Sequence, residues 1–341
     1  MKSLKIGLFP QYYYYLVLFC LLLAFSFLRG FGFAGLLFAN IGSIHLNSSF
    51  NNAISASNHL QQSQRWLRLS LQVPYNENNQ SSLRKLGFAF AYNEKDADAA
   101  LAWQKSGLTE MQQEFLSRGD QAFGGKNFDQ ALQFYTWGSL IEPELGDWDY
   151  YQARVFRKMN RYPDALEELN HASGKSLFAV GESDIYSETG WLKLDHGSLS
   201  DYEEALLLFE QALVKAQFVQ TSQLDAYYGH AEALRKTQAF ELAISEYESL
   251  LNRQPDHYEA NVILSILYWQ IEANVLQAEQ RLQHAIQLRP TNIWAYQRLA
   301  ILYEETERYD DALKQYQIIL RHDPQNELAN NRIKNLVNNE R

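Results

Sequence analysis

The chain has 341 residues, room for about two domains, and a net charge of −10 that argues against a nucleic-acid footprint. With 46% hydrophobic, 21% charged and 14% aromatic residues, it is neither a disordered chain nor a collagen. Its one cysteine, Cys20, excludes an internal disulfide and any cysteine-rich metal site.

Charge is unevenly placed along the chain. The first 64 residues carry Lys2, Lys5 and Arg29 and no acid, a charge of +3; the remainder, in which Glu77 is the first acid, carries −13. An apolar run from Ile6 to Leu28 is broken only by Pro10 and Gln11, and its strongest part, Tyr12–Leu28, holds no charge. About 20 residues span a bilayer, so residues 12–28 are expected to form a transmembrane signal anchor, with 1–11 as a cytoplasmic start and Tyr12 to Tyr15 at the interface. The flanking lysines keep the N-terminus inside. That makes the chain a single-pass protein of the cytoplasmic membrane, with its body on the outer side. Three other readings stay open: cleavage near Ala24-Phe25-Ser26 or Gly32-Phe33-Ala34, a membrane hairpin closed by a second span over Phe31–Leu46, and a lipoprotein acylated at Cys20. The last lacks the small residue expected where Phe19 stands.

Residues 29–47 read as a Gly/Phe-rich juxtamembrane segment. Residues 48–79 read as a degenerate helix pair, with Ala53, Ala56, Leu60, Trp66 and Leu69 apolar and a stop at Pro74. From there one phrase recurs: an aromatic residue, an alanine three positions on, and a large apolar residue four after that. It runs Phe128/Ala131/Tyr135, Tyr162/Ala165/Leu169, Tyr202/Ala205/Phe209, Phe240/Ala243/Tyr247 and Tyr309/Ala312/Tyr316, with weaker copies at Ala99 and Ala278. The marker alanines are spaced by 32, 34, 40, 38, 35 and 34 residues. In the same register, twelve before five of the seven markers, stand Gly87, Gly119, Ala153, Ala231 and Ala300; seven after five of them stand Ser106, Gly138, Ala172, Ala212 and Ala285; twelve after four of them stand Pro143, Pro255, Pro290 and Pro324.

This pattern resembles the tetratricopeptide repeat (TPR) over residues 80–326. The resemblance implies an all-α, right-handed solenoid of helical hairpins, in about seven units: 80–111, 112–145, 146–179, 183–219, 224–257, 258–291 and 292–326. Small residues let helices cross closely, the large residue fills the hole between units, and proline ends the second helix. Pro163 differs, sitting in a first turn where a missing N–H costs nothing. Two departures lengthen the array: the connection Ser173–Asp184 and the turn His196–Ser200. Residues 327–341 are expected to form a capping helix, with Ala329, Ile333 and Leu336 on one face.

Chemical motifs fail one by one. Gly30-Phe-Gly32-Phe-Ala-Gly35 spells a dinucleotide fingerprint, but an apolar span precedes it and no acid follows at the needed distance. Gly174-Lys175-Ser176 resembles the end of a phosphate loop, but Leu169 stands where the first glycine belongs. The eight histidines show no zinc spacing. No catalytic residue, cofactor or metal site is therefore expected, and an enzyme is disfavoured.

What remains is a surface. The resemblance implies a concave face lined by the first helix of each pair. By register that face offers Tyr150, Arg154, Arg157 and Lys158 in one unit and Tyr228, Glu232, Arg235 and Lys236 in another. The last unit adds Trp294, Gln297 and Glu304. Aromatic plates beside forked donors suit an extended, carboxylate-bearing segment. The Lys/Asn/Lys/Arg clamp of the family is absent. The function expected is a membrane-anchored scaffold that binds other proteins, with the bilayer as partner of residues 12–28 and no nucleic acid. The alternative is an accessory of envelope glycan assembly, in which some of the 21 tyrosines and seven tryptophans would stack on sugars.

Overall fold

The computed structural model describes residues 32–51, 56–72 and 79–339. Among them every regular element is a helix. The expected membrane helix over 12–28 lies outside these residues. Among those described, no helix is long and apolar enough to cross a membrane.

Two compact units divide the chain, Met1–Asn160 and Arg161–Arg341. The first holds α1 (Gly32–Asn51), α2 (Ala56–Gln72), α3 (Asn79–Ala91), α4 (Asp96–Ser106), α5 (Leu108–Gly124), α6 (Phe128–Ile141) and α7 (Gly146–Lys158). The second holds α8 (Tyr162–Ser173), α9 (Glu182–His196), α10 (Leu199–Lys215), α11 (Gln223–Lys236), α12 (Phe240–Arg253), α13 (Tyr258–Gln270), α14 (Val275–Leu288), α15 (Ile293–Glu305), α16 (Tyr309–His322) and α17 (Glu327–Asn339). The division falls inside the repeat expected at 146–179.

The first pair is displaced from its expected place. A hairpin within 48–79, and a membrane span over 31–46, both give way to a pairing of α1 with α2. Gly42 is the reason: Leu67 of α2 lies so close that a Cβ on residue 42 would come within 2.6 Å of its Cγ. Phe38 and Trp66 meet beside it, with ring centroids 5.6 Å apart.

The later pairs repeat that close approach in a fixed register. A Cβ at Gly87 would collide with the Trp103 indole, and one at Gly119 with the Tyr135 ring. Each glycine is the small residue twelve before a marker alanine, and each ring is the large residue four after it. Trp103, Tyr135, Phe209, Tyr247 and Tyr316 are all fully buried in this role. In the pair with the lengthened turn, the register gives Lys193 at the small position. The structure uses Gly190, one turn earlier, 2.9 Å from Phe209 on the same measure.

Turns and ends follow backbone chemistry. Glu94, Lys126, Asn160, Gln238, Ala273 and Glu307 all adopt left-handed φ, between 54° and 64°, and each stands five residues before its marker alanine. For non-glycine residues this costs roughly 1–2 kcal/mol. The following amide offsets it by closing the helix end, as Asn127 N–H does on the Ala122 carbonyl (2.8 Å) and Arg308 N–H on that of Tyr303 (2.7 Å). The lengthened turn uses Gly197 instead, at φ 87°. Pro143, Pro255, Pro290 and Pro324 each stand two residues past a helix end. Helix α17 closes the second unit, burying Ala329 and packing Ile333 and Leu336 on the core while Asn330 and Asn331 face water.

Gly119→Val is expected to destabilise the first unit by about 2–4 kcal/mol, because Tyr135 cannot retreat within a packed core. Urea unfolding of the two proteins measures it.

Candidate functional site

The register puts Tyr150 and Tyr228 at the same repeat position, fifteen before their markers, but the structure treats them differently. Tyr150 is fully buried in the first unit, its ring 5.5 Å from that of Tyr151. It is core and not a surface plate. Arg154 covers it, with the guanidinium carbon 5.7 Å from the Tyr150 ring and 5.0 Å from that of Phe123. Arg157 is half-exposed and Lys158 exposed at the end of α7.

In the second unit, three of the four candidates on α11 come together. Tyr228 of α11 is half-buried in an aromatic row. Its ring centroid lies 5.7 Å from Trp191 of α9, 6.1 Å from Tyr247 of α12 and 4.7 Å from His257, the residue that caps α13. One turn on, Glu232 Oε1 accepts from the Tyr247 hydroxyl and from Arg235 Nε at 3.3 Å, and its Oε2 accepts from Arg235 Nη2 at 2.6 Å. Lys236 leaves the cluster: its ammonium lies over the Tyr202 ring on α10, 5.3 Å away.

Electrostatics follow from this crowding. Burial, then the Glu232 charge, raises both Tyr228 and Tyr247 far above the usual phenol range. Burial lowers His257 against the pull of Glu259 and Asp225. Burial is the largest single effect on Arg235 and opposes its charge, but the hydrogen bond it donates to Glu232 and the Glu232 charge together leave the guanidinium raised. The result is a half-open strip of aromatic faces ending in a guanidinium with one nitrogen, Nη1, outside the Glu232 contact.

Further along, Trp294 and Gln297 of α15 are both half-buried, and Trp294 stands 6.0 Å from Tyr258. Arg289 covers that same tyrosine at 4.5 Å and pairs with Glu259. Arg308 covers Tyr303 at 4.1 Å and holds Glu279 at 2.7 Å. Glu304, which the register also placed on the face, is taken by Arg332 of the capping helix at 3.1 Å. Tyr268 and Tyr303 donate their hydroxyls to Glu248 (2.6 Å) and Glu279 (2.7 Å), and both are pushed up to about 12, by burial first and the carboxylate second.

Sequence reasoning missed Trp191, His257 and Asp184. Trp191 sits in the pair whose register slips, and His257 is a cap that faces back toward the preceding pair. Asp184 is fully buried and ties two long connections together. One carboxylate oxygen accepts from the amides of Gly181 (2.8 Å), Val219 (3.0 Å) and Gln220 (2.9 Å); the other accepts from the amide and hydroxyl of Thr221 (both 2.7 Å). Gly181 must be glycine because the Gln217 carbonyl occupies the space of a Cβ. The loop expected as a simple insertion is thus fastened to the turn that leads into α11.

Models of the tetratricopeptide repeat match residues 194–256 and 272–331. Over 237 residues the chain is 22% identical to Hsp70-Hsp90 organizing protein 3 of Arabidopsis thaliana and 23% identical to the Hsp70-Hsp90 organizing protein of Triticum aestivum. These alignments cover 61% of this chain but only 42% and 40% of those proteins. Among solved structures, the Pseudomonas aeruginosa protein pilF aligns over 68% of this chain and 99% of its own, with a TM-score of 0.56 at 16% identity. PilW, described as a widely conserved type IV pilus biogenesis factor, aligns over 66% and 98%, with a TM-score of 0.56 at 14% identity. At such identities the structural likeness is one of fold.

Asp184→Asn should cost the second unit about 3 kcal/mol or more, since an amide group turns donors toward donors at a buried site. Urea unfolding and faster proteolysis within 174–181 report it. A separate loss belongs to alkaline pH. Folding holds the Tyr268 and Tyr303 protons above the unfolded value near 10, so stability is full below pH 10 and falls as pH rises toward 12. Tyr303→Phe should flatten part of that fall when unfolding midpoints are compared at pH 8 and pH 11.5.

Proposed function

The chain is a tetratricopeptide-repeat protein, and from that premise we propose that it works as a non-catalytic scaffold that grips an extended segment of a partner protein along α11. The observation that carries this reading is the row Trp191–Tyr228–His257 with Arg235 at its end. Rigid aromatic faces give contact area at little entropic cost, and they accept peptide groups and side chains of varied shape. Arg235 keeps part of its fork for a carboxylate of the segment. Glu232 holds that fork in place and sets the sign: a basic residue at the same point is attracted to Glu232 only at the expense of the Arg235 contact.

The scaffold sits at a membrane in this proposal. Residues 12–28 supply the anchor, and Lys2 and Lys5 keep the start of the chain inside. The body then works on the outer side of the cytoplasmic membrane, where assembling a multi-protein structure is the natural use of a tethered repeat array.

The full-length protein in detergent, screened on an array of peptides with free and amidated C-termini, should bind a subset enriched in carboxylates. Tyr228→Ala and Arg235→Ala should each weaken that binding about tenfold or more, while Lys236→Ala leaves it within about twofold. Equal binding by all three variants removes the α11 reading. Binding of glycans instead, lost on Trp294→Ala, favours the envelope-glycan alternative. Anchoring is checked with Arg341→Cys: an impermeant thiol reagent should label it in intact, outer-permeabilised cells, and labelling only after lysis places the body inside.

A further inference from the structure

The histidines show no ligand spacing in the sequence, yet the α1–α2 hairpin brings two of them together. His45 and His59, fourteen residues apart, present their Nδ1 atoms to each other at 3.3 Å. Their ring centroids are 5.6 Å apart and the ring planes differ by 32°. Two ring radii account for the difference between these distances, so the rings meet nitrogen to nitrogen and not face to face. Both side chains are half-buried. With one ring protonated on Nδ1, that N–H donates to the bare Nδ1 of the other; with both rings protonated on Nε2, two lone pairs face one gap, where a metal ion takes both as ligands.

We propose that His45 and His59 form a binding site for a divalent ion of the zinc class, which clamps α1 to α2. Zinc–imidazole bonds of about 2.0–2.1 Å at a tetrahedral angle separate two ligand nitrogens by about 3.3 Å, the spacing the hairpin builds. Imidazole pairs without carboxylates select zinc, copper or nickel over magnesium or calcium. Among the described residues no third histidine or carboxylate joins this pair, so water completes the coordination sphere and the ion exchanges. An ion held only when α1 and α2 are paired adds its binding free energy to the first unit.

Zinc chloride titrated into the full-length protein, first stripped with a chelator, tests this by calorimetry at pH 7.5. One saturable equivalent is expected. His45→Ala and the gentler His59→Gln should each weaken it about tenfold or more, while His284→Ala does not. Zinc should raise the thermal midpoint of the parent protein and of His284→Ala, and leave both pair variants unmoved. Circular dichroism of the stripped variants separates lost ligation from lost folding. Absence of saturable binding, or binding that survives in both pair variants, overturns the site and leaves the gap to a shared proton.

Discussion

Two helices joined by a turn can bury a large aromatic ring between them only if one backbone carries no more than a glycine or alanine where the ring lies. That single steric requirement runs through this molecule. Trp103 needs Gly87, Tyr135 needs Gly119, Phe209 needs Gly190 and Gly229, and Leu67 needs Gly42. The ring serves two neighbours at once, since Phe209 presses on a glycine within its own hairpin and on one at the start of the next. Burying a ring of that size is worth several kcal/mol, and no hairpin can collect it alone. Stability is therefore passed from each pair to the next.

Most of the architecture could be read from residue spacing because the steric requirement is periodic. Marker alanines, prolines two residues past a helix end, and buried large residues all fall where the register puts them. The lengthened turn at 196–200 breaks the period and hides Gly190. The pair α1–α2 has a long and unrelated spacing, Gly42 to Leu67, so nothing in the repeat phrase announces it. The site was harder still. Register identifies a helix face but not the depth of a residue within it. Tyr150 and Tyr228 share a repeat position, yet Tyr151 and Arg154 close over the first while the cap residue His257 leaves the second half-open. Depth is decided by side chains from neighbouring pairs, which no local pattern encodes.

The insertions bear on the same point. Two connections, 174–181 and 216–222, interrupt the array on either side of the α9–α10 hairpin. Left as solvated loops they would let α9 and α11 shift against each other. Asp184 prevents this by gathering amides from both connections on one buried carboxylate. A buried charge is costly unless its lone pairs are satisfied, and here five donors satisfy it. Trp191 on α9 and Tyr228 on α11 meet in the candidate face, so the anchor that fastens these loops also sets the spacing of two of its aromatic walls.

Core and face are joined more tightly than packing alone requires. Tyr247 fills the space over the small residue Ala231, and its hydroxyl reaches past the core to Glu232, the next residue on α11. Tyr135 does the same in the first unit, filling the space over Gly119 and donating to Asp120 at 2.8 Å. A phenylalanine would fill either hole equally well. The tyrosine adds a fixed donor for the acid that stands beside the small residue, at the edge of the exposed face. In the second unit that acid orients Arg235. The guanidinium offered to a partner is thus held by a carboxylate, the carboxylate by a phenol, and the phenol by its complete burial in the core. A binding face built this way is set before any partner arrives, which lowers the ordering cost of association. It also means that changing the core tyrosine to phenylalanine should be felt at the face before it is felt in the fold.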